Sequence, residues 1–342
     1  MKNPLKFAFI VGLLTLPFVA LGSDEDLSGP RGPGFAQSVS TTLAPDRVEV
    51  SEDPRGWSLS VWREKQGRLQ AVPGLVFSAP VCADQGLAEV KAALQDRHVK
   101  VQNRWGVTYQ IKARVPCQGH VKLLFQPDSP AGQAVGIWQV TYRAEKMLEA
   151  EVGLGFWTRT LPFTWPSDGD YYSFGQVNIT RGDHWDVVGH EMGHAIYDMG
   201  DIGAWGGGQH KIDECYSAAL ALSEGWASYF SAWVSVDRRD PDAKFEFMVP
   251  RRSPIRFENI PGDVCLGPTN EWRVTGFFWD LIDFNNDGET SDAPFQAVWE
   301  ALTGHHAKDM SEVRELLEAR GFKSETLQSV WERNFSPSSR AR

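Results

Sequence analysis

Residues 186–199 read Asp-Val-Val-Gly-His-Glu-Met-Gly-His-Ala-Ile-Tyr-Asp-Met, which places the pattern H-E-x-x-H at His190, Glu191 and His194. Four residues is just over one helical turn, so on a helix both imidazoles project from one face, about 6 Å apart along the axis. Two imidazoles so placed can close on one zinc ion at about 2.0–2.1 Å each. Glu191, next to the first ligand, then stands beside the metal's open position, where it can take a proton from a bound water. The same spacing also arises by chance on ordinary helices. Here its setting favours the metal: a strand precedes it, Asp183 is placed to cap the helix, Gly189 and Gly193 leave room for a close neighbour, and Gly200 stops it.

A hydrolytic zinc needs a third protein ligand and an open fourth position. The longer pattern H-E-x-x-H-x-x-G-x-x-H is excluded, because its Gly position is Tyr197 and its third His position is Gly200. Glu is the expected type for the remaining ligand, and two compete. Glu224 lies mid-helix in Leu222-Ser-Glu-Gly-Trp-Ala-Ser-Tyr-Phe230, with Gly225 after it leaving room for tight packing. Glu214 lies near the start of the same helix.

The elements that must hold these residues can be read from periodicity. Between Arg47 and Phe125, short apolar or alternating runs separated by Gly, Pro and Asp turns predict a small β-sandwich, with only Leu87–Leu94 looking helical. Pro127-Asp-Ser-Pro130 is the expected linker. Beyond it Ile137, Val140, Thr141, Ala144, Met147 and Leu148 fall on one helical face. Strands are expected through Phe156–Thr164 and Ser173–Thr180, then the His190 helix, a glycine-rich loop at Gly203–Gly208 and a long helix over about Cys215–Val236. Further helices are predicted near Trp272–Ile282, Phe295–Thr303 and Met310–Ala319. Most of the fourteen Trp sit in these apolar stretches and read as core.

Two segments resemble known enzymes. Asp186-Val-Val-Gly-His-Glu-x-x-His-Ala resembles the zinc helix of thermolysin-type peptidases, and Ser223-Glu-Gly-Trp-Ala-Ser-Tyr-Phe230 is similar to the Glu-bearing segment of membrane alanyl aminopeptidases. Both are gluzincin peptidases, and the likeness covers about residues 170–236. It implies His190, His194 and Glu224 as zinc ligands and Glu191 as general base. It does not reach the N-terminal third; with the periodicity above, the expected fold is α+β, the small β-sandwich domain (46–128) followed by a mostly helical, zincin-like catalytic domain (129–342). The sequence departs from those relatives in three places. The gap from His194 to Glu224 is 29 residues, whereas Glu214 sits at the thermolysin-like gap of 19. Ser228 stands where thermolysin-type enzymes carry an Asp that supports a ligand His, a role open here to Asp198 or Asp213. The His or Tyr that steadies the oxyanion has no clear counterpart. Tyr229, His305, His306, Arg273, Tyr171 and Tyr172 are the residues that could meet it.

Other features bound the setting. Lys2 and Lys6 followed by the apolar run Phe7–Leu21 and Ala20-Leu21-Gly22 read as a cleaved signal peptide (residues 1–22), with 23–45 a flexible lead-in. The expected localisation is secreted or periplasmic. Four Cys with no C-x-x-C pair favour disulfides, Cys82–Cys117 and Cys215–Cys265 being preferred because each stays within one expected domain. A net charge of −10 offers no footprint for nucleic acid or anionic membranes. Asp283, Asn285 and Asp287 match the first half of a calcium loop, D-x-N-x-D-G, but position twelve is Pro294 rather than Glu, so a turn is the simpler reading.

The expected protein is therefore a monomeric metallopeptidase with one catalytic Zn2+ and a peptide or protein substrate. No acidic anchor for a free N-terminus is evident, which favours endopeptidase action. The competing readings are a secreted binding or adhesion protein with a structural zinc site, and a zinc hydrolase acting on a non-peptide substrate.

Overall fold

In Leu87–Ala93 burial alternates residue by residue, with Ala88, Val90 and Ala92 inside. The segment expected to be helical is thus a strand, because its apolar residues meet a partner strand at period two rather than a core at period 3.6. The structure, a computed structural model, describes residues 39–53, 56–65, 67–78, 82, 86–285 and 291–336. The expected signal peptide lies outside the described residues, as do Asp287 and most of the lead-in.

Eight strands precede the first helix. They are β1 (Thr42–Leu43), β2 (Arg47–Ser51), β3 (Ser58–Lys65), β4 (Arg68–Ala71), β5 (Leu87–Ala93), β6 (Val99–Gln102), β7 (Gln110–Pro116) and β8 (His120–Phe125). One sheet runs β2-β8-β3-β4, and a second runs β1-β7-β5, so the end of the lead-in is itself a strand. Val99–Gln102 belongs to neither. It pairs in parallel with β9 (Leu161–Thr164), across the expected boundary at residues 128/129, in a sheet that β10 (Tyr171–Ser173) and β11 (Gln176–Asn178) complete in the order β10-β11-β9-β6. A single hydrophobic core runs from Leu43 to Phe335 through both regions. The chain is thus β-rich first and helical afterwards, with the two parts sharing a sheet.

α1 (Pro130–Glu151) starts where the linker was expected: the Ser129 hydroxyl accepts from Gly132 N and Pro130 occupies the first turn. The single strand expected at Ser173–Thr180 is a hairpin of β10 (Tyr171–Ser173) and β11 (Gln176–Asn178). Phe174 and Gly175 both take positive φ (48° and 77°), the geometry of a tight two-residue hairpin turn. α2 (Trp185–Met199) and α3 (Ala218–Ser235) follow, then the short hairpin β12 (Lys244–Phe245) and β13 (Ile255–Arg256). α4 (Glu271–Ile282), α5 (Phe295–Leu302) and α6 (Met310–Ala319) lie where the periodicity places them, and α7 (Ser324–Phe335) is an addition. Both disulfides, Cys82–Cys117 and Cys215–Cys265, are formed. No described helix is long and apolar enough to cross a membrane.

Candidate active site

α2 begins one residue later than expected, with His184 at the N-cap; Asp183 instead pairs with Arg181. The start of α2 is anchored by Asp186. Its buried carboxylate accepts from the backbone N–H groups of Val187, Glu246, Phe247 and Met248. Burial raises this carboxyl above its ordinary range, and the four N–H groups work against that.

α2 and α3 pack at very short range. A Cβ added at Gly193 would sit 2.7 Å from Ala227 Cα, and one at Gly189 would sit 2.4 Å from Ser231 Oγ. Only glycine permits that approach, and it brings Glu224 of α3 against the histidines of α2. His190 Nε2 lies 3.1 Å from both His194 Nε2 and Glu224 Oε2, and His194 Nε2 lies 3.1 Å from the same oxygen. All three side chains are buried. Among the described residues they form the one group of three metal-ligating side chains whose donor atoms converge. Tetrahedral ligands about 2.0–2.1 Å from zinc stand about 3.3 Å apart, so spacing and donor set (two imidazole nitrogens and a carboxylate oxygen) both suit that ion.

Protonation agrees with the spacing. Burial lowers His190 to about 4, against the opposing pull of Glu224, so its ring is neutral near pH 7. Burial alone would raise the Glu224 carboxyl, but the imidazoles of His194, His210 and His190 outweigh it and hold the group well below the usual carboxylate range. His190 Nδ1 lies 3.0 Å from Ser228 Oγ. With Nδ1–H donating there, Nε2 keeps its lone pair for a metal. The supporting role left open between Asp198 and Asp213 thus falls to Ser228 itself. Asp198 accepts from Tyr172 Oη at 2.5 Å, and Asp213 pairs with Arg251. Glu191, one residue along from His190, is fully inaccessible. Glu214 is exposed and paired with Lys211, away from the histidines.

The residues suggested for the oxyanion do not converge. The Arg273 guanidinium is spent on three backbone carbonyls, those of Cys265, Asn334 and Val264. Tyr229 is core, stacked on Phe278 and Phe295. His306 is exposed beside Asp201. Tyr172 lies nearer, edge-on to Trp205, whose ring also meets His194 edge-on. Asp283 caps the end of α4, accepts from Asn285 N and joins no metal-ligating group among the described residues.

One residue of the site escaped the spacing arguments. His210 follows the glycine-rich loop, and its Nε2 lies 3.1 Å from Glu271 Oε2 and 3.9 Å from Glu224 Oε2. No fixed spacing links a loop histidine to a helix, and its only signal was its place two residues after Gly206-Gly207-Gly208.

A comparison with curated proteins finds no match. Residues 157–326, 170 of the 342 and so just under half of the chain, match the family of the Mycolysin C-terminal domain. That match, spanning α2, α3 and the converging His190, His194 and Glu224, supports a metallopeptidase of the zincin type.

Proposed function

We propose that the protein is a secreted zinc-dependent endopeptidase in which Glu191 activates the attacking water. The observation that carries this reading is the convergence of His190, His194 and Glu224 at 3.1 Å beside a buried Glu191, which shares α2 with the two histidines. These three would hold zinc, which when bound acts as a Lewis acid that polarises the scissile carbonyl and acidifies water.

Glu191 takes the proton as water adds to the carbonyl carbon. It keeps that proton on its carboxyl and delivers it to the leaving nitrogen as the C–N bond breaks. Its burial, which excludes competing solvent, strengthens both transfers. Ser228 fixes the tautomer of His190, and the packing of Gly193 on Ala227 fixes the distance between the helices. The peptide lies extended along β10, the outer strand of its sheet, through backbone hydrogen bonds. The docking edge is Tyr171–Ser173 and not β11, which is flanked on both sides by β10 and β9. Two disulfides fit an oxidising compartment outside the cytoplasm.

Glu191→Gln in the purified protein tests the reading. Metal analysis should still find one zinc per chain, while casein or peptide-library cleavage falls by about 10²–10⁴-fold. Chelator should abolish wild-type cleavage and zinc restore it. Undiminished cleavage by Glu191→Gln would remove Glu191 as the base. Zinc binding without any peptide cleavage would point to a structural zinc site or a different hydrolysable bond.

A further inference from the structure

The reaction outlined above makes no use of His210, a third imidazole buried beside the site with its side chain 2% exposed. Its Nδ1 lies 2.9 Å from Gly208 O, so Nδ1–H donates to that carbonyl and Nε2 is turned toward the helices. Gly208 is at φ +118°, a backbone setting that a residue with a side chain rarely adopts. Nε2 lies at ion-pair distance from two carboxylate oxygens, Glu271 Oε2 at 3.1 Å and Glu224 Oε2 at 3.9 Å. This Glu224 oxygen is the one that touches both His190 and His194.

The elements around His210 are arranged to hold it there. Gly225, directly after Glu224, lets α4 approach so closely that an added Cβ would sit 2.4 Å from Val274 and 3.0 Å from Glu271 O. Asn270, capping α4, donates to the carbonyls of Ile212 and Glu214. Ser223 Oγ donates to Gly206 O. The Cys215–Cys265 disulfide closes the same stretch. The loop from 206 to 215 is therefore fastened to α3 and α4 on either side of the ring.

Electrostatics give the arrangement a purpose. To ligate a metal, His190 and His194 turn bare Nε2 lone pairs to the point that Glu224 also faces, so neither imidazole donates a proton to that carboxylate. Glu271 adds a second carboxylate, which by itself would repel the first. With Nδ1–H given to Gly208 O, a proton on Nε2 as well makes the ring an imidazolium, and that cation between the two carboxylates makes both contacts attractive.

We propose that His210 is a positioning residue for the third metal ligand: Glu271 holds its ring, and the ring holds the Glu224 carboxylate turned toward His190 and His194. The role rests on the metal-site reading above, and it concerns metal binding rather than the bond-breaking steps.

Zinc affinity by chelator competition and the visible spectrum of the cobalt-substituted protein test it. His210→Ala should weaken zinc by about 10–100-fold and alter the cobalt bands, with circular dichroism of the zinc-free protein unchanged. His210→Gln, which restores an N–H near the Nε2 position, should recover part of the loss. Glu271→Gln should weaken zinc less. The double variant Glu271→Gln/His210→Ala should bind no more weakly than His210→Ala, because Glu271 acts through the ring. Should His210→Ala fail to fold, His210→Gln and Glu271→Gln carry the same comparison. Wild-type affinity and cobalt bands in the His210 variants overturn the role, and so do fully additive losses in the double variant. A wild-type protein that binds no zinc overturns the metal site and this role together; a zinc-binding wild type with insensitive His210 variants overturns this role alone.

Discussion

At the scale of single residues, His190 is set from both ends of its ring. Its Nε2 faces Glu224 while its Nδ1 meets Ser228 Oγ at 3.0 Å. A serine oxygen is neutral, so it fixes the tautomer without the added basicity that a carboxylate would lend the ring. Ser228→Ala should therefore weaken zinc by about 10-fold and leave the fold intact, as measured by calorimetric titration; unaltered affinity would mean that packing alone orients the ring. The two histidines and Glu191 were legible because i, i+4 spacing on a helix is a complete geometric statement. Glu224 was legible only against Glu214, and the structure separates them by burial: Glu224 is 3% exposed and touches both imidazoles, whereas Glu214 reaches solvent beside Lys211. The support from Ser228 and the pairing of His210 with Glu271 link residues far apart in the chain, and no local pattern encodes such a link.

At the scale of elements, the site depends on two helices meeting backbone to backbone. An added methyl at Gly193 would lie 2.7 Å from both Cα and O of Ala227, and backbone atoms have no rotamer with which to yield. Gly193→Ala should cost about 1–3 kcal/mol of stability or more, seen as a lower urea midpoint, and should weaken zinc as Glu224 is pushed away. A variant with wild-type midpoint and affinity would show that the helices separate freely. The long helices were legible because their apolar faces repeat over many turns. Leu87–Leu94 was not. Leu87, Val90 and Leu94 also satisfy helical spacing, and alanine favours helix; pairing with β7 from Leu87↔Pro116 to Ala93↔Gln110 decides for the strand. The Ser173–Thr180 segment was misread for a related reason: a turn through Phe174 and Gly175 splits it, and Phe174 is a poor signal for positive φ.

At the scale of the whole molecule, the β-rich and helical parts are joined by β6, which leaves the N-terminal strands to lie beside β9. The Cys215–Cys265 disulfide, with a sequence separation of 50, closes the stretch that carries α3 and the β12–β13 hairpin. Replacing both cysteines by serine should lower stability by about 4 kcal/mol on the loop-entropy estimate, read as a fall in melting temperature of the zinc-free protein; an unmoved melting temperature would show that the loop is held without the covalent link. By itself the sequence determined the donor types, the helix that presents two of them and the glutamate beside the first, because each follows from short-range spacing; the cysteine pairing it only favoured, by keeping each pair within one expected domain. Only the tertiary structure decided which glutamate meets the histidines, which hydroxyl and which loop imidazole support them, and which strand lies at the sheet edge. The contacts of the glutamate, the hydroxyl and the imidazole turn on the separation of α2, α3 and α4, which close glycine contacts set, and the sheet edge turns on the bend at Phe174 and Gly175; no periodicity along one segment expresses either.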